Sequence, residues 1–174
     1  FGVEVVMPAD LGITVDVEET GETFAENALL KAKAICDAAG LPAIADDSGL
    51  CVDALNGGPG VYSARYGGEE LDDRGRYLLL LNSMRGVPSR AAHYTCAVAC
   101  AFPDGNILTA EGRCDGAIAY APIGQSGFGY DPVFLVPEKA KTFGQMTSEE
   151  KETISHRGKA LREFAEKLED YLKK

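Results

Sequence analysis

The chain has 174 residues, of which 45% are hydrophobic, so its length and composition fit one globular domain with an ordinary core. Its 17 basic and 27 acidic residues give a formal net charge of −10. Because proteins bind nucleic-acid polymers through basic residues that neutralise many phosphates, this balance argues against such a partner. A small phosphorylated ligand stays compatible, since a local group of cations and backbone amides can outweigh a distant negative field.

Five cysteines are present, and none belongs to a Cys-x-x-Cys pair. They stand within apolar or strand-like segments, at Cys36, Cys51, Cys96, Cys100 and Cys114. This usage predicts reduced thiols, packed as small hydrophobic side chains in a cytoplasmic protein. No segment has the apolar length of a membrane span and no signal peptide is visible, so the sequence predicts no membrane partner.

The first predicted helix covers residues 23–39. Thr23 and Glu26 form a capping-box pattern at its start, and apolar residues recur at helical spacing until a glycine and a proline end the run. Asn27 and Lys31 are four residues apart and share a face that is not the most apolar one. Both side chains can therefore reach a ligand.

A short buried strand is predicted over residues 41–45, followed at its carboxyl end by Asp46 and Asp47. In α/β folds ligands bind at that end, and paired carboxylates there handle hard cations and phosphates. Ser48 and Gly49 come next and can offer hydroxyl and amide donors to phosphate oxygen. The same two aspartates also suit a turn or a helix cap, the commonest use of Asp in a loop.

The middle of the chain predicts a glycine-rich loop, a helix and a pair of strands. The loop covers residues 56–68 and the helix residues 69–84. Two strands follow, near 91–102 and 107–120, joined by a hairpin-type turn at 103–106.

The last part of the chain predicts one more strand, over residues 130–136, and two helices. A capping pattern over residues 147–150 begins a short helix. The apolar stripe of the C-terminal helix consists of Leu161, Phe164, Ala165, Leu168 and Leu172. Helices and strands alternate first and strands then cluster, which predicts a single α/β domain over residues 1–174 with a mixed central sheet flanked by helices.

One segment combines aromatic side chains, a carboxylate and glycines, and nitrogen donors follow it. The segment covers residues 126–134, and the donors stand at Lys151 and within residues 155–158. Glycines let a backbone approach a flat ligand closely, so this set suits a keto-purine base. Phe128 and Tyr130 equally suit a plain core, and a charge run near a helix start equally suits a solvated face.

Five blocks of the sequence, in order, resemble the inosine triphosphate pyrophosphatase family, the dITP/XTP pyrophosphatases. They are residues 18–32, 45–50, 58–66, 126–134 and 155–158. The resemblance implies an elongated, strongly curved sheet, two lobes with a substrate cleft between them, and a homodimer. Family members begin with a strand and a Ser/Thr-x-Asn-x-x-Lys loop that grips the triphosphate. This sequence does not open with that loop, so we expect a domain truncated at its N-terminus.

The resemblance assigns the metal and the catalytic base. It implies that Asp47 is the base and a Mg²⁺ ligand, and that Glu19 is the second metal ligand. Taken alone, Glu18 and Glu19 also suit the positive end of the first helix dipole. Triphosphate oxygens and water would complete the six oxygen ligands that Mg²⁺ takes.

The resemblance also implies which residues contact the substrate. Ser48 contacts it, Asp46 and Asn27 support the site, and Lys31 offsets charge on the leaving pyrophosphate. The base and sugar pocket is assigned to Phe128, Gly129, Tyr130 and Asp131. The donors that read the O6 acceptor of a keto-purine are Lys151, His156 and Arg157.

The sequence therefore predicts a Mg²⁺-dependent enzyme that hydrolyses ITP, dITP and XTP to the monophosphate and pyrophosphate. Such an enzyme would remove deaminated purines from the nucleotide pool. Two alternatives remain open. One is a nucleotide-binding or sensing module without catalysis, and the other is a pyrophosphatase for other modified nucleotides.

Overall fold

The computed structural model describes residues 2–173, so the first and last residues of the predicted domain 1–174 lie outside the described residues. Short 3-10 turns connect the regular elements, and two of them, Gly60–Arg65 and Asp131–Val133, border the site discussed below. The helices and strands are α1 Phe24–Ala39, β1 Ala43–Val52, α2 Asp73–Ser83, β2 Ala91–Ala101, β3 Ile107–Ile118, β4 Phe134–Val136, β5 Lys141–Thr142, α3 Ser148–Ile154 and α4 His156–Leu172.

The five strands form one sheet in chain order, β1-β2-β3-β4-β5. The predicted α/β class is confirmed, but all four strand pairings are antiparallel, so the prediction of mixed pairing is wrong for this sheet. Strands that neighbour each other in both chain and sheet need no parallel crossover, and a tight turn joins β2 to β3 as predicted. There Phe102 N donates to the carbonyl of Asn106 at 2.9 Å.

Helix α1 begins where the capping box predicts. Thr23 Oγ1 accepts from Glu26 N at 3.2 Å, and Glu26 Oε2 accepts from Thr23 N at 3.3 Å. Such reciprocal bonds satisfy backbone donors that a helix start leaves unpaired. The buried face of α1 carries Ala28, Ala32 and Cys36, which pack on small side chains of β1 and β2.

Strand β1 is longer than the sequence predicts, because it continues through its polar residues to Val52. Asp46, Asp47 and Ser48 do not follow the strand as a turn but lie within it, opposite Val98, Ala97 and Cys96 of β2. The backbone of β2 pairs with β1 over ten residues, and this ladder holds polar residues in the strand as firmly as apolar ones.

Two other predicted boundaries change. Residues 130–136 contain a 3-10 turn before the short β4, because Pro132 within that segment has no N–H to donate to a ladder. Helix α2 begins four residues later than predicted, where Asp72 accepts from Gly75 N at 2.7 Å as its cap.

Helices α1 and α4 cover opposite faces of one end of the sheet. Phe164 of α4 is buried there, whereas Leu161 and Leu172 of the predicted stripe are exposed. Helix α4 approaches β3 closely at Gly112, where a Cβ would collide with the carbonyl of His156. At the other end the sheet packs against α2 and the residues around β4 and β5. These two packed regions are the predicted lobes. Within residues 2–173, no helix is both long and apolar enough for a membrane crossing.

Candidate active site

The two neighbouring aspartates of β1 face opposite sides of the sheet. Successive side chains of a strand alternate in direction, so Asp47 points to the side of α1 while Asp46 and Ser48 point to the side of α4. The interpretation of Asp46 and Asp47 as paired carboxylates at one position is therefore corrected. Each carboxylate belongs to a different half of the site.

On the α1 side, Asp47 joins a group of four polar side chains. Its Oδ1 lies 3.3 Å from Lys31 Nζ, and its Oδ2 accepts from Asn27 Nδ2 at 3.3 Å. Lys31 Nζ also lies 2.8 Å from Glu19 Oε1. Asn27 is fully buried and accepts from Gly21 N at 2.7 Å, which fixes its amide beside Asp47. Asn27 and Lys31 both contact Asp47, as expected of side chains on one helix face, but Asn27 is fully buried, so the expectation that it reaches a ligand is wrong.

Burial and charge shift the pKa values of this group. Burial raises the pKa of Asp47, and the carboxylate of Glu19 raises it further, although Lys31 acts in the opposite direction. Burial alone would lower the pKa of Lys31, but Glu19 and Asp47 outweigh burial and raise it. Lys31 therefore stays a cation, while Asp47 becomes a better proton acceptor than an ordinary exposed carboxylate.

Glu19 and Asp47 are the residues of this group that could hold a metal. One oxygen of each faces the same cationic nitrogen of Lys31, so the two carboxylates converge on one region. No cluster of three or more His, Cys, Asp or Glu side chains that could hold a metal occurs among residues 2–173. Two protein carboxylates suit Mg²⁺, which commonly takes its other oxygens from phosphates and water.

On the α4 side, Asp46 holds Arg157. The Nε and one terminal nitrogen of Arg157 donate to Asp46 Oδ2 at 3.1 and 2.9 Å, and that nitrogen also lies 3.2 Å from Ser48 Oγ. Both side chains of the ion pair remain about 40% exposed, at 41% for Arg157 and 39% for Asp46. Asp46 therefore fixes the direction of an arginine that can still reach a ligand.

A cleft of about 540 Å³ opens beside Arg157. Its lining includes Phe128, Phe143, Met146, Lys151, His156 and Arg157. Phe128 is 62% exposed, and Lys151 Nζ lies 4.6 Å from the centroid of its ring. An exposed ring with cationic donors beside it suits the stacking and edge recognition of a flat base.

His156 forms a neutral wall of this cleft. Its ring stacks on Tyr94 with centroids 4.5 Å apart, and the residue is buried. Burial lowers the pKa of His156 to about 3, and the cations Arg157 and Lys151 act in the same direction. At neutral pH the imidazole therefore carries one N–H, and its buried Nδ1 has no hydrogen-bond partner among the described residues.

The loop of residues 126–131 borders the cleft and is held at two points. Asp131 Oδ2 accepts from Phe128 N at 3.1 Å and from Lys151 Nζ at 2.5 Å. Burial raises the pKa of Asp131, although Lys151 opposes that shift. At the start of α2, Asp73 Oδ2 accepts from Gly129 N at 2.7 Å.

Tyr130 differs from the other residues predicted for the base pocket. Its side chain is buried in the core, and its hydroxyl donates to the carbonyl of Ser63 at 2.6 Å. Tyr130 therefore anchors the loop and does not present its ring to the cleft. Gly127 and Gly129, which flank Phe128, both have a positive φ. Their backbone freedom lets the ring of Phe128 point outward and that of Tyr130 point inward.

Three residues near the site are missed by the sequence-based assignment. Arg65 lies 3.8 Å from Glu19, Ser63 accepts from Tyr130, and Asp73 holds Gly129. The block of residues 58–66 was a signal for the first two, since it belongs to the resemblance but has no role assigned. Asp73 gives no local signal, because an acidic residue at a helix start ordinarily reflects the helix dipole.

This fold and this two-sided site define a class of nucleotide-handling α/β enzymes, with a carboxylate and lysine group on one side and an aromatic cleft on the other. The model of the Ham1 family matches residues 1–167. The chain belongs to the Ham1 family.

Two relatives are similar over most of their length. A dITP/XTP pyrophosphatase of Geobacillus kaustophilus is 52% identical over 171 residues, which cover 97% of this chain and 84% of the relative. A dITP/XTP pyrophosphatase of Streptomyces coelicolor is 53% identical over 149 residues, covering 84% and 74% of the two chains.

Solved structures agree with the fold. The Ham1 protein of Staphylococcus aureus superposes with a TM-score of 0.92 at 43% identity, covering 97% of this chain and 88% of its own. A protein of Mycobacterium abscessus, described as a nucleoside-triphosphatase and dITP/XTP pyrophosphatase, gives a TM-score of 0.80 at 45% identity, covering 93% and 86%. The α/β fold with two lobes and a cleft is therefore that of this family.

Proposed function

We propose that this chain hydrolyses the non-standard purine nucleoside triphosphates ITP, dITP and XTP to the monophosphate and pyrophosphate. The names of its relatives support this substrate class. The structural observation that carries the proposal is the division of the site by β1. Asp47, Lys31 and Glu19 form a phosphate-handling group on one side, and Arg157 borders an aromatic cleft on the other.

β1 is the terminal strand of the described sheet, so its two faces meet along one edge. A nucleotide that crosses this edge can place its phosphates beside Asp47 and its base beside Phe128. Glu19 and Asp47 would hold Mg²⁺ together with triphosphate oxygens. When bound there, this cation supplies positive charge that offsets the phosphate oxygens and orients them for in-line displacement.

The residues of the chain supply the proton transfer and the charge. Asp47, whose pKa is raised, accepts a proton from a water molecule that attacks the α-phosphorus. The bond from that phosphorus to its bridging oxygen breaks, and pyrophosphate leaves with the bonding electrons. Lys31 offsets the charge that builds on the leaving group, and Asn27 holds Asp47 in position.

The cleft selects keto-purines through donors. Hypoxanthine and xanthine present O6 as an acceptor, whereas adenine presents an amino group at that position. Lys151 and Arg157 are donors without acceptor capacity, and neutral His156 can contribute one N–H. Adenine would leave these donors unpaired, which a partly desolvated site penalises. Ser48 reaches the ligand beside Arg157 in this arrangement.

The proposal includes a homodimer, as the resemblance implies, that acts in the cytoplasm, as the cysteine usage predicts. All five cysteines are free, which agrees with reduced thiols. No nucleic-acid polymer and no membrane takes part in the proposed reaction.

Pyrophosphate release from dITP, XTP and dATP, measured with and without Mg²⁺, tests the function. We expect turnover of dITP and XTP that depends on Mg²⁺ and is much faster than turnover of dATP. An Asp47→Asn protein prepared in the same way controls for contaminating hydrolases. Binding of dITP without any pyrophosphate release would contradict the proposal and favour a nucleotide-sensing module.

A further inference from the structure

Four charged side chains alternate in sign along the α1 side of the site. Asp47 lies 3.3 Å from Lys31, Lys31 lies 2.8 Å from Glu19, and Glu19 lies 3.8 Å from Arg65. The first three have roles in the proposed function. Arg65 ends the row and has none.

The guanidinium of Arg65 has donors to spare. Within residues 2–173 it makes the 3.8 Å contact with Glu19 and no hydrogen bond. Two other arginines near the sheet make more hydrogen bonds: Arg157 donates to Asp46 and Ser48, and Arg90 donates to three backbone carbonyls. Arg65 therefore keeps nearly all of its five N–H groups available beside the phosphate-handling group.

The turn that carries Arg65 is fixed in place. Ser63 in this turn is buried, its Oγ accepts from Leu50 N at 2.9 Å, and its carbonyl accepts from Tyr130. The turn packs so closely on β1 that a Cβ at Gly49 would collide with the carbonyl of Gly60. A rigid turn presents its last residue in one direction without the entropy cost of ordering a loop.

The side chain of Arg65 is also supported. Its guanidinium carbon lies over the exposed Tyr62 ring, 4.9 Å from the centroid, so the cation rests on an aromatic face. The side chain is 40% exposed, which leaves its other face and edges open. A supported guanidinium with free donors is suited to bidentate contact with phosphate oxygens.

We propose that Arg65 binds the pyrophosphate part of the substrate, and hence free inorganic pyrophosphate, through its guanidinium. This inference rests on the proposed function of the same site. Lys31 and Arg65 stand on the two sides of Glu19, so the two cations can contact separate phosphate oxygens. Once Glu19 and Asp47 are engaged with a cation, the charges of Lys31 and Arg65 are free to balance the phosphates.

Titration calorimetry with inorganic pyrophosphate in Mg²⁺ buffer, and separately with IMP, tests this assignment. Charge-assisted bonds to phosphate make us expect that Arg65→Ala weakens pyrophosphate binding on the order of 10- to 100-fold. Binding of IMP, which lacks the pyrophosphate part, should change less than about twofold. Arg65→Lys keeps the charge but loses the planar fork, so we expect an intermediate loss.

Arg85→Ala is the matched control, since it removes an exposed arginine beyond the end of α2, outside the site. An unchanged pyrophosphate Kd in Arg65→Ala would overturn the assignment. So would an equal loss of IMP binding, an equal effect of Arg85→Ala, or a parent protein that does not bind pyrophosphate. The measurement requires no turnover, so a protein that binds pyrophosphate through Arg65 but does not hydrolyse dITP would contradict only the proposed function.

Discussion

The two faces of β1 use charge in different ways. On the α1 face, Lys31 contacts both Asp47 and Glu19, and the three side chains are largely shielded from water. On the α4 face, Asp46 and Arg157 form a more exposed pair beside aromatic rings. The first arrangement raises the pKa of a carboxylate, and the second fixes the direction of a cation. In the proposed function, one strand thus separates proton transfer from base recognition.

This difference follows from the strand period. Two adjacent carboxylates in a turn would share one environment and one role, whereas in a strand they must face opposite layers. Because α1 covers one layer and α4 the other, Asp47 meets Lys31 while Asp46 meets Arg157. Variants of these neighbouring residues should therefore have separable effects.

The largest expected effect is that of Asp47→Asn, which keeps the shape of the side chain and removes its charge. Loss of a catalytic base lowers a rate on the order of 10² to 10⁴, and loss of a metal ligand adds to this. Steady-state pyrophosphate release from dITP at saturating Mg²⁺ measures it. Asp46→Asn is the matched control and should retain far more turnover. An Asp47→Asn enzyme within a few-fold of the parent would show that Asp47 is not the base.

Arg157→Ala should have an intermediate effect that depends on the base. A charge-assisted hydrogen bond to the base contributes roughly 1.5 to 3 kcal/mol, so we expect kcat/KM for ITP to fall about tenfold or more, and that for ATP much less. His156→Ala should likewise reduce the ratio of kcat/KM for ITP to kcat/KM for ATP. The comparison uses both nucleotides under one condition. Lys159→Ala, a change on the same helix outside the cleft, controls for loss of charge. Equal losses on ITP and ATP would assign Arg157 to phosphate binding or to the fold.

The smallest expected effect concerns stability and pH. The pKa of His156 is about 3 in the folded protein, below its ordinary value of about 6.5. Between these values the unfolded chain binds one more proton at this residue, so the histidine makes stability rise with pH across that window. We expect His156→Phe to reduce the slope of unfolding free energy against pH by about 1.4 kcal/mol per unit. Urea unfolding of the parent and of His156→Phe from pH 4.5 to 6 measures the two slopes. Equal slopes for the two proteins would contradict the lowered pKa of His156.

Local signals predicted most of the regular structure. The capping boxes at Thr23 and Thr147 mark the starts of α1 and α3, and the turn between β2 and β3 is correct. These features depend on residues within a few positions of one another, and such interactions are visible in a sequence. The extension of β1 through Asp46 depends on pairing with β2, some fifty residues away. Residues next to Asp46 in the sequence do not indicate which distant strand it will pair with.

The site shows the same division. The resemblance selected Asp47, Lys31 and Glu19, and the structure brings these three together. The resemblance did not indicate that Tyr130 faces the core, because its hydroxyl donates to the carbonyl of Ser63, which is 67 residues away. Arg65 stood in a block that carries the resemblance, but its closeness to Glu19 could not be predicted, since it depends on how the Gly60–Arg65 turn packs on β1.

Binding of inosine, which carries the base without phosphate, tests the separation of the two faces most directly. Calorimetry on the parent, Asp46→Asn and Asp47→Asn proteins gives the three dissociation constants under one condition. We predict that Asp47→Asn binds inosine within about twofold of the parent, whereas Asp46→Asn, which loosens Arg157, binds it several-fold more weakly. Equal weakening in both variants would contradict the account, because it would mean that the two aspartates serve one undivided site.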